Sequence, residues 1–356
     1  MGGPPRASVC IPTCDGEQFV AEAIESVLGQ TYQDFELVVV DDRSGDRTLD
    51  IVRSYRDPRL HLHQNDERLG IARNWNRCLE LARAEFFCLF HQDDVMLPEN
   101  LEQKIRLLEA EPSVGFVHSS VEFLTESGAP PGSAHWVEDA TENFVVDGRA
   151  YFRKMILSGN RVCAPAVVAR RDVLLNLGGF DENLGFALDY ELWLKACVNW
   201  RVGFLSEPLV RYRWHLKNAS HSFRFERALD VAVSATTSAL AFYGERGGPA
   251  EERELLAEAV AALDRQRRWT AELEKAKSWL AEQCNNWKDL AELREGMILE
   301  LRSWIDELEK AKTWHTEQTE MWRQRAESNE AVIREQQGRI ELLEHQATNH
   351  SGDTLR

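Results

Sequence analysis

Phe86-Phe87-Cys88-Leu89-Phe90-His91-Gln92-Asp93-Asp94 decides the reading of this chain, with Val95-Met96-Leu97-Pro98 and a helix-like run from Glu99 behind it. A short apolar, aromatic run bounded by polar residues reads as a buried parallel strand. Two carboxylates at its C-terminal end stand where open α/β sheets place their ligand chemistry. Adjacent aspartates repel, so keeping both ionised calls for a cation or strong donors beside them, and a divalent metal carrying a diphosphate would serve. The same two residues would also suit a plain turn and helix cap.

Upstream, Ala7-Ser8-Val9-Cys10-Ile11 reads as a first strand ending at Pro12-Thr13, and Glu17 to Leu28 has apolar residues at helical spacing. Phe35 to Val40 is a second buried strand, closed by Asp41-Asp42-Arg43-Ser44-Gly45-Asp46, with a helix from Thr48 to Tyr55. Leu60 to His63 and Phe86 to Phe90 are the third and fourth strands, with a helix over Ile71 to Ala82 between them. Strands alternating with helices imply a mostly parallel sheet flanked by helices, a Rossmann-like α/β fold. No G-x-G-x-x-G follows the first strand and no G-x-x-x-x-G-K-[ST] occurs, which disfavours dinucleotide and P-loop readings.

Further on, Val114 to Phe123 is a strand, Gly128 to Gly132 a turn and Gly148 to Leu157 a helix. Ala166 to Ala169 is a short strand, followed by a Gly178-Gly179-Phe180-Asp181-Glu182 turn. Asp189 is expected to cap a helix running to about Val198, and Arg211 to His215 forms a last strand rich in cations.

The chain has 356 residues, enough for about two domains, and 43% hydrophobic content. The net charge of −17 argues against a nucleic-acid partner. Seven scattered cysteines with no C-x-x-C pair read as reduced core thiols. No run of 18 apolar residues exists and the first residues lack a signal-like stretch. The expectation is a soluble cytoplasmic protein without a transmembrane segment, compatible with peripheral association at the inner face of a membrane.

After Pro249 the composition turns to that of a long helix, with no further proline. Trp269, Trp279 and Trp287 recur 35 residues later as Trp304, Trp314 and Trp322, and Glu272 to Lys277 recurs as Glu307 to Lys312. Thirty-five is five heptads. One register puts Leu273, Leu280, Trp287, Leu301, Leu308 and Trp322 at a, with Trp269, Ala276, Leu290, Met297, Trp304 and Ala311 at d. A helix of about 95 residues, on the order of 140 Å long, cannot bury such a stripe alone, so a homo-oligomeric coiled coil is expected. The expected layout is residues 1–225 as the catalytic-type domain, 226–250 as a helical linker, 251–346 as the coiled coil and 347–356 as a disordered tail.

About the first 220 residues resemble the family 2 glycosyltransferases of the GT-A fold. The resemblance rests on Ser8-Val9-Cys10-Ile11-Pro12-Thr13, Ser26 to Tyr32, Val40-Asp41-Asp42-Arg43-Ser44, Gln92-Asp93-Asp94 with Pro98, Gly178 to Asp181, and Asp189 before Leu192-Trp193-Leu194. It implies an inverting transferase that binds a nucleoside-diphosphate sugar and a divalent metal, Mn or Mg. By that resemblance Asp42 contacts the nucleobase beside Asp41, Pro12, Thr13 and Asp15, and an acidic acceptor suits the N–H of uracil or thymine. Arg68 and Arg73 reach the base or diphosphate, and Asp93 with Asp94 forms the acidic metal motif. His215 completes that site, and Asp189 is the base that takes a proton from a saccharide or lipid-linked acceptor in surface polysaccharide or glycoconjugate assembly. Two positions depart from the pattern: His91 stands where an acid is usual, and Leu188 where an acid often precedes the base. A weakly catalytic scaffold, a nucleotidyltransferase and a measuring role for the tail are the other readings carried forward.

Overall fold

The computed structural model describes residues 3–125, 138–184, 187–215, 218 and 234–243, single helical positions between 257 and 279, and 295–352. The Gly128 to Gly132 turn lies outside the described residues. The chain divides into two compact units, residues 1–267 and 268–356.

The first unit is built on one mixed sheet. Strands β1 (Ala7–Thr13), β2 (Phe35–Asp41), β3 (Leu60–Gln64) and β4 (Phe86–Leu89) lie in the order β3-β2-β1-β4, all parallel. The helices between them are α1 (Val20–Leu28), α2 (Thr48–Ser54) and α3 (Ile71–Leu81). Then come β5 (Val95–Met96), α4 (Asn100–Ala110), β6 (Val114–Leu124), β7 (Phe144–Val146) and α5 (Gly148–Ser158). They are followed by β8 (Val167–Arg170), α6 (Arg171–Asn176), α7 (Leu188–Asn199) and β9 (Arg201–Arg213). The sheet continues past β4 through β8, β6, β9 and β5, with β7 also on β9.

A mostly parallel sheet is therefore only half right: β8 runs antiparallel to both β4 and β6, and β5 and β7 run antiparallel to β9. Strand β8 follows α5 by way of the 3₁₀ turn Ala164–Ala166, which leads directly into it. The last strand is also longer than expected. It begins at Arg201, and its register slips at Ser119 and Ser120 of β6, where Ser206 and Glu207 are passed over.

Alternation along the strands sorts the core onto two faces. Val38, Val40, Phe87 and Leu89 face α3, α5 and α7, whereas Leu37, Val39, Phe86 and Cys88 face α1 and α4. Helix α1 buries Val20, Ala23, Ile24 and Val27, a single stripe at helical spacing. Helix α7 is buried nearly all round. Residues 234–243 are helical and complete its cover: Ala235, Ala239 and Tyr243 are buried in the same cluster, and Ser238 Oγ donates to Glu191 Oε1 at 2.7 Å. This part of the expected linker belongs to the core.

In the second unit α8 (Glu295–Gly352) is one helix of 58 residues, about 87 Å long. It continues through residues 347–352, which the sequence reading assigned to a disordered tail. Trp304, Trp314 and Trp322 are each more than half exposed along it. Among the described residues no helix is long and apolar enough to cross a membrane.

Gly148 opens α5 against the end of α7. A Cβ there would lie 1.9 Å from the Trp200 carbonyl oxygen and 2.2 Å from that of Cys197, both backbone atoms that cannot swing aside. Gly148→Ala is therefore expected to cost about 2–3 kcal/mol in chemical denaturation, without change in the far-ultraviolet signature of the folded state.

Candidate active site

Because β1 sits between β2 and β4, the chain leaves the sheet in two directions at the C-terminal ends of these strands. That divergence opens a crevice. Thr13 pairs in register with Asp41, and the Phe90 amide donates to the Cys10 carbonyl, so the segments after β1, β2 and β4 meet at one edge. Gln92 ties two of them together: its Oε1 accepts from the Cys14 N–H at 2.9 Å and its Nε2 donates to the Cys14 carbonyl at 3.1 Å.

On the β2 side, Asp41 is buried and accepts from Thr13 Oγ1 at 3.2 Å and from the Ser44 amide and hydroxyl. Asp42 is also buried. Its Oδ1 accepts from the Leu69 N–H at 2.7 Å and the Asn65 amide at 3.0 Å, and its Oδ2 from the Gly70 N–H at 2.8 Å. Asp42 thus anchors the loop that presents Arg68. The Arg68 guanidinium pairs with Asp15 at 2.7 Å, and Pro12, in β1, is half-buried. Asp15 takes a positive φ of 48° and accepts the Gly45 N–H at 2.7 Å; that bond, then Arg68, hold its carboxyl below the usual range. Arg73 is exposed on α3 and pairs with Glu182 at 3.0 Å.

On the β4 side, Asp93 and Asp94 occupy the turn before β5, and the end of β9 closes over them. Asp93 Oδ2 lies 3.0 Å from His215 Nε2. Asp94 Oδ1 accepts the Arg213 N–H at 2.8 Å, and the Arg213 side chain donates to the Asp93 carbonyl at 2.8 Å while pairing with Glu22. Phe19 lies 4.5 Å below the Arg213 guanidinium and 5.0 Å from the His215 ring. Burial, then the adjacent Asp93, push the Asp94 carboxyl well above its ordinary value. Asp94 Oδ2 is buried and has no hydrogen-bond partner among the described residues. An orphaned carboxylate oxygen beside a second acid and two imidazoles is a donor set that fits a divalent cation.

Asp189 is not the helix cap expected of it; Ala187 holds that position and Asp189 sits in the first turn of α7. Its Oδ2 accepts from Asn160 Nδ2 at 3.2 Å, while Asn160 Oδ1 accepts the Val162 N–H at 3.0 Å. Burial pushes the Asp189 carboxyl up to about 6, against the opposing bonds from the Tyr190 N–H and Asn160. Burial raises the Cys163 thiol, and the Asp94 and Asp189 carboxylates add to the effect. Sequence reasoning missed Asn160, since a lone amide in a loop carries no spacing signal, and it quoted Gln92 within the acidic motif without a role. It noted Arg213 only as one of several cations on the last strand.

Residues 8–174 match the glycosyl transferase family 2 model, and that segment is a glycosyltransferase domain. An uncharacterized protein of Mycobacterium tuberculosis is 31% identical over 216 residues, 58% of this chain and 66% of its own length. A UDP-Glc:alpha-D-GlcNAc-diphosphoundecaprenol beta-1,3-glucosyltransferase of Escherichia coli, WfgD, is 25% identical over 60% of this chain and 79% of its own. The chain spans about two thirds of the length of the curated relatives it matches. Staphylococcus aureus TarS 1-349 in complex with UDP-GlcNAc shares the fold, with a TM-score of 0.58, 23% identity and 72% of each chain covered. So does a mannosyltransferase of Pyrobaculum calidifontis in complex with GDP-Man and Mn2+, with a TM-score of 0.53, 22% identity, and 85% and 83% covered.

The raised carboxyl of Asp189 has a consequence for stability. An unfolded aspartate titrates near 3.9, so between there and about 6 the folded chain holds a proton the unfolded chain has lost. Stability from this group is present below that window and is lost as pH rises through it. Asp189→Asn should therefore be more stable than wild type at pH 8, by about 1–2 kcal/mol, and equal to it near pH 4, as read by thermal unfolding at the two pH values.

Proposed function

We propose that this chain, whose residues 8–174 form a glycosyl transferase family 2 domain, moves a sugar from a nucleoside-diphosphate donor to a hydroxyl of a saccharide or lipid-linked acceptor with inversion at the anomeric carbon. The observation that carries the reading is the acid cluster suited to a cation after β4, together with a separate aspartate in the first turn of α7 whose carboxyl burial pushes up to about 6. A transferase needs both: charge neutralisation for the departing diphosphate and a base for the incoming hydroxyl.

The nucleoside lies against Pro12, Thr13, Asp15, Asp41, Asp42 and Arg68. A carboxylate offers about four acceptor positions, and Asp42 has three in use; the fourth takes the imide N–H of a uracil or thymine ring. UDP and dTDP are accordingly the favoured carriers. Asp93, Asp94 and His215 would hold a divalent metal, Mn or Mg, which when bound supplies positive charge to the diphosphate oxygens. Asp189 accepts the acceptor's hydroxyl proton as that oxygen forms its bond to the anomeric carbon from the face opposite the leaving diphosphate. Asn160 holds the carboxylate in place for that transfer. The E. coli relative's acceptor, a sugar on a lipid diphosphate, supports placing this chain in glycoconjugate assembly.

The exposed Trp304, Trp314 and Trp322, with Ile305 and Met321 beside them, support a coiled-coil homo-oligomer. Trp304 and Trp322 fall on the a/d seam of the heptad register, and a partner copy offers the same seam. In light scattering the full chain should run as a dimer or larger, and Trp304→Glu with Trp322→Glu should reduce it to a monomer. A monomeric wild type contradicts the proposal.

Calorimetric titration of UDP, dTDP and GDP, each with and without Mn2+, tests the donor reading. One uridine- or thymidine-type diphosphate should bind, at least tenfold more weakly when Mn2+ is omitted and not measurably to Asp94→Ala. Equal binding of all three, or binding indifferent to both metal and Asp94, would defeat it.

A further inference from the structure

The acid motif carries a residue that the functional reading leaves unused. His91 stands two positions before Asp93, where the family resemblance puts an acid, and the structure turns it into the cluster rather than away. A ligand atom of each of His91, Asp93 and Asp94 can be chosen so that all three lie within 4.8 Å of one another. His91 Nδ1 is 3.7 Å from Asp94 Oδ2, too long for a hydrogen bond. It is, however, close to the edge of a coordination polyhedron: metal–ligand bonds of about 2.1 Å put adjacent ligands roughly 3.0–3.4 Å apart.

Three further observations converge on that gap. Asp94 Oδ2, the atom facing His91, is buried without a hydrogen-bond partner among the described residues. The His91 ring is held by Trp75, whose ring centroid lies 5.4 Å away, with Phe180 set edge-on against Trp75 at 5.2 Å. His91 is thereby fixed in orientation by packing. His215 Nε2 lies 3.0 Å from Asp93 Oδ2. One imidazole and both carboxylates of residues 91–94 can converge on one ion, and a second imidazole, from the segment after β9, touches one of those carboxylates.

We propose that His91 is itself a cation ligand, so that the site binds its metal through two imidazole nitrogens and selects Mn2+, Co2+ or Zn2+ over Mg2+. The inference rests on the metal-dependent reading above and adds its ligand set and cation class. The chemistry follows from ligand type. Mg2+ holds oxygen ligands and water and gains little from imidazole, whereas later first-row ions bind nitrogen more tightly. An acid at position 91 would favour the hard cation; a histidine there tilts the choice the other way.

The test uses the full chain and the metals alone. Pulsed electron paramagnetic resonance of bound Mn2+ should show nitrogen coupling from two imidazoles in wild type, from one in His91→Asp and from one in His215→Gln. Competition between Mn2+ and Mg2+ should favour Mn2+ in wild type and shift toward Mg2+ on the order of tenfold or more in His91→Asp, on the scale seen for changes to a metal's ligand shell. His91→Asn should lose the same coupling without the gain in Mg2+. A single imidazole coupling in wild type that survives His91→Asp, with the Mn2+ to Mg2+ ratio unmoved, overturns the inference. In that case loss of Mn2+ in Asp94→Ala would still uphold the metal reading. A wild type that binds no Mn2+ at all overturns both.

Discussion

Two adjacent carboxylates at the end of a buried strand cannot remain charged unless something offsets them, and the first unit is arranged around that constraint. Asp94 is fully enclosed and Asp93 partly so, so their mutual repulsion is felt at low effective dielectric. The chain answers with the end of β9, which brings the Arg213 N–H to Asp94, the Arg213 guanidinium to the Asp93 carbonyl and His215 to the Asp93 carboxylate. For β9 to reach that place it must lie along β6 and receive β5 on its other edge. The second half of the sheet, where β9 runs parallel to β6 and antiparallel to β5, is therefore the means by which a late segment is delivered to an early motif.

The parallel half was legible in the sequence, because each strand there is a run of apolar residues ended by a polar cluster and each helix shows a stripe at helical spacing. Phe35 to Val40 and Phe86 to Phe90 are the clearest cases. The mixed half was harder to read. β9 begins at Arg201 with Ser206, Glu207 and Pro208 in its middle, and a strand interrupted by a register slip has no clean period. The part played by residues 234–243 was hidden for a different reason: Ala235, Ala239 and Tyr243 acquire meaning only against α7, which is distant in sequence.

The site shows the same division. Asp41, Asp42, Asp93 and Asp94 were found because strand ends in such sheets are where chemistry gathers, and Asp189 because the family resemblance marked it. The structure refines Asp42 into the anchor of the loop over residues 65–70, a role that depends on backbone N–H groups and is invisible to residue type. Arg73 pairs with Glu182, a partner that sequence spacing does not reveal. Asn160 and Gln92 gain their roles through contacts between segments. At Asp94, which is buried, and Asp189, which is partly so, desolvation opposes the charged form. The matching expense elsewhere is Lys104, fully buried with its ammonium donating to the Ala166 carbonyl at 2.7 Å and pushed down to about 7. That lysine ties α4 to the turn leading into β8, and so to the strand that separates β4 from β6.

The central claim is that the acids after β4 gather a cation and a diphosphate at the crevice beside β1. A crystal of the full chain grown with Mn2+ and UDP, measured for the anomalous scattering of manganese, addresses it directly. The account predicts a manganese peak in bonding contact with Asp93 or Asp94, with the diphosphate beside it and the base toward Asp42 and Arg68. A peak elsewhere in the chain, or UDP bound away from these residues, would contradict it.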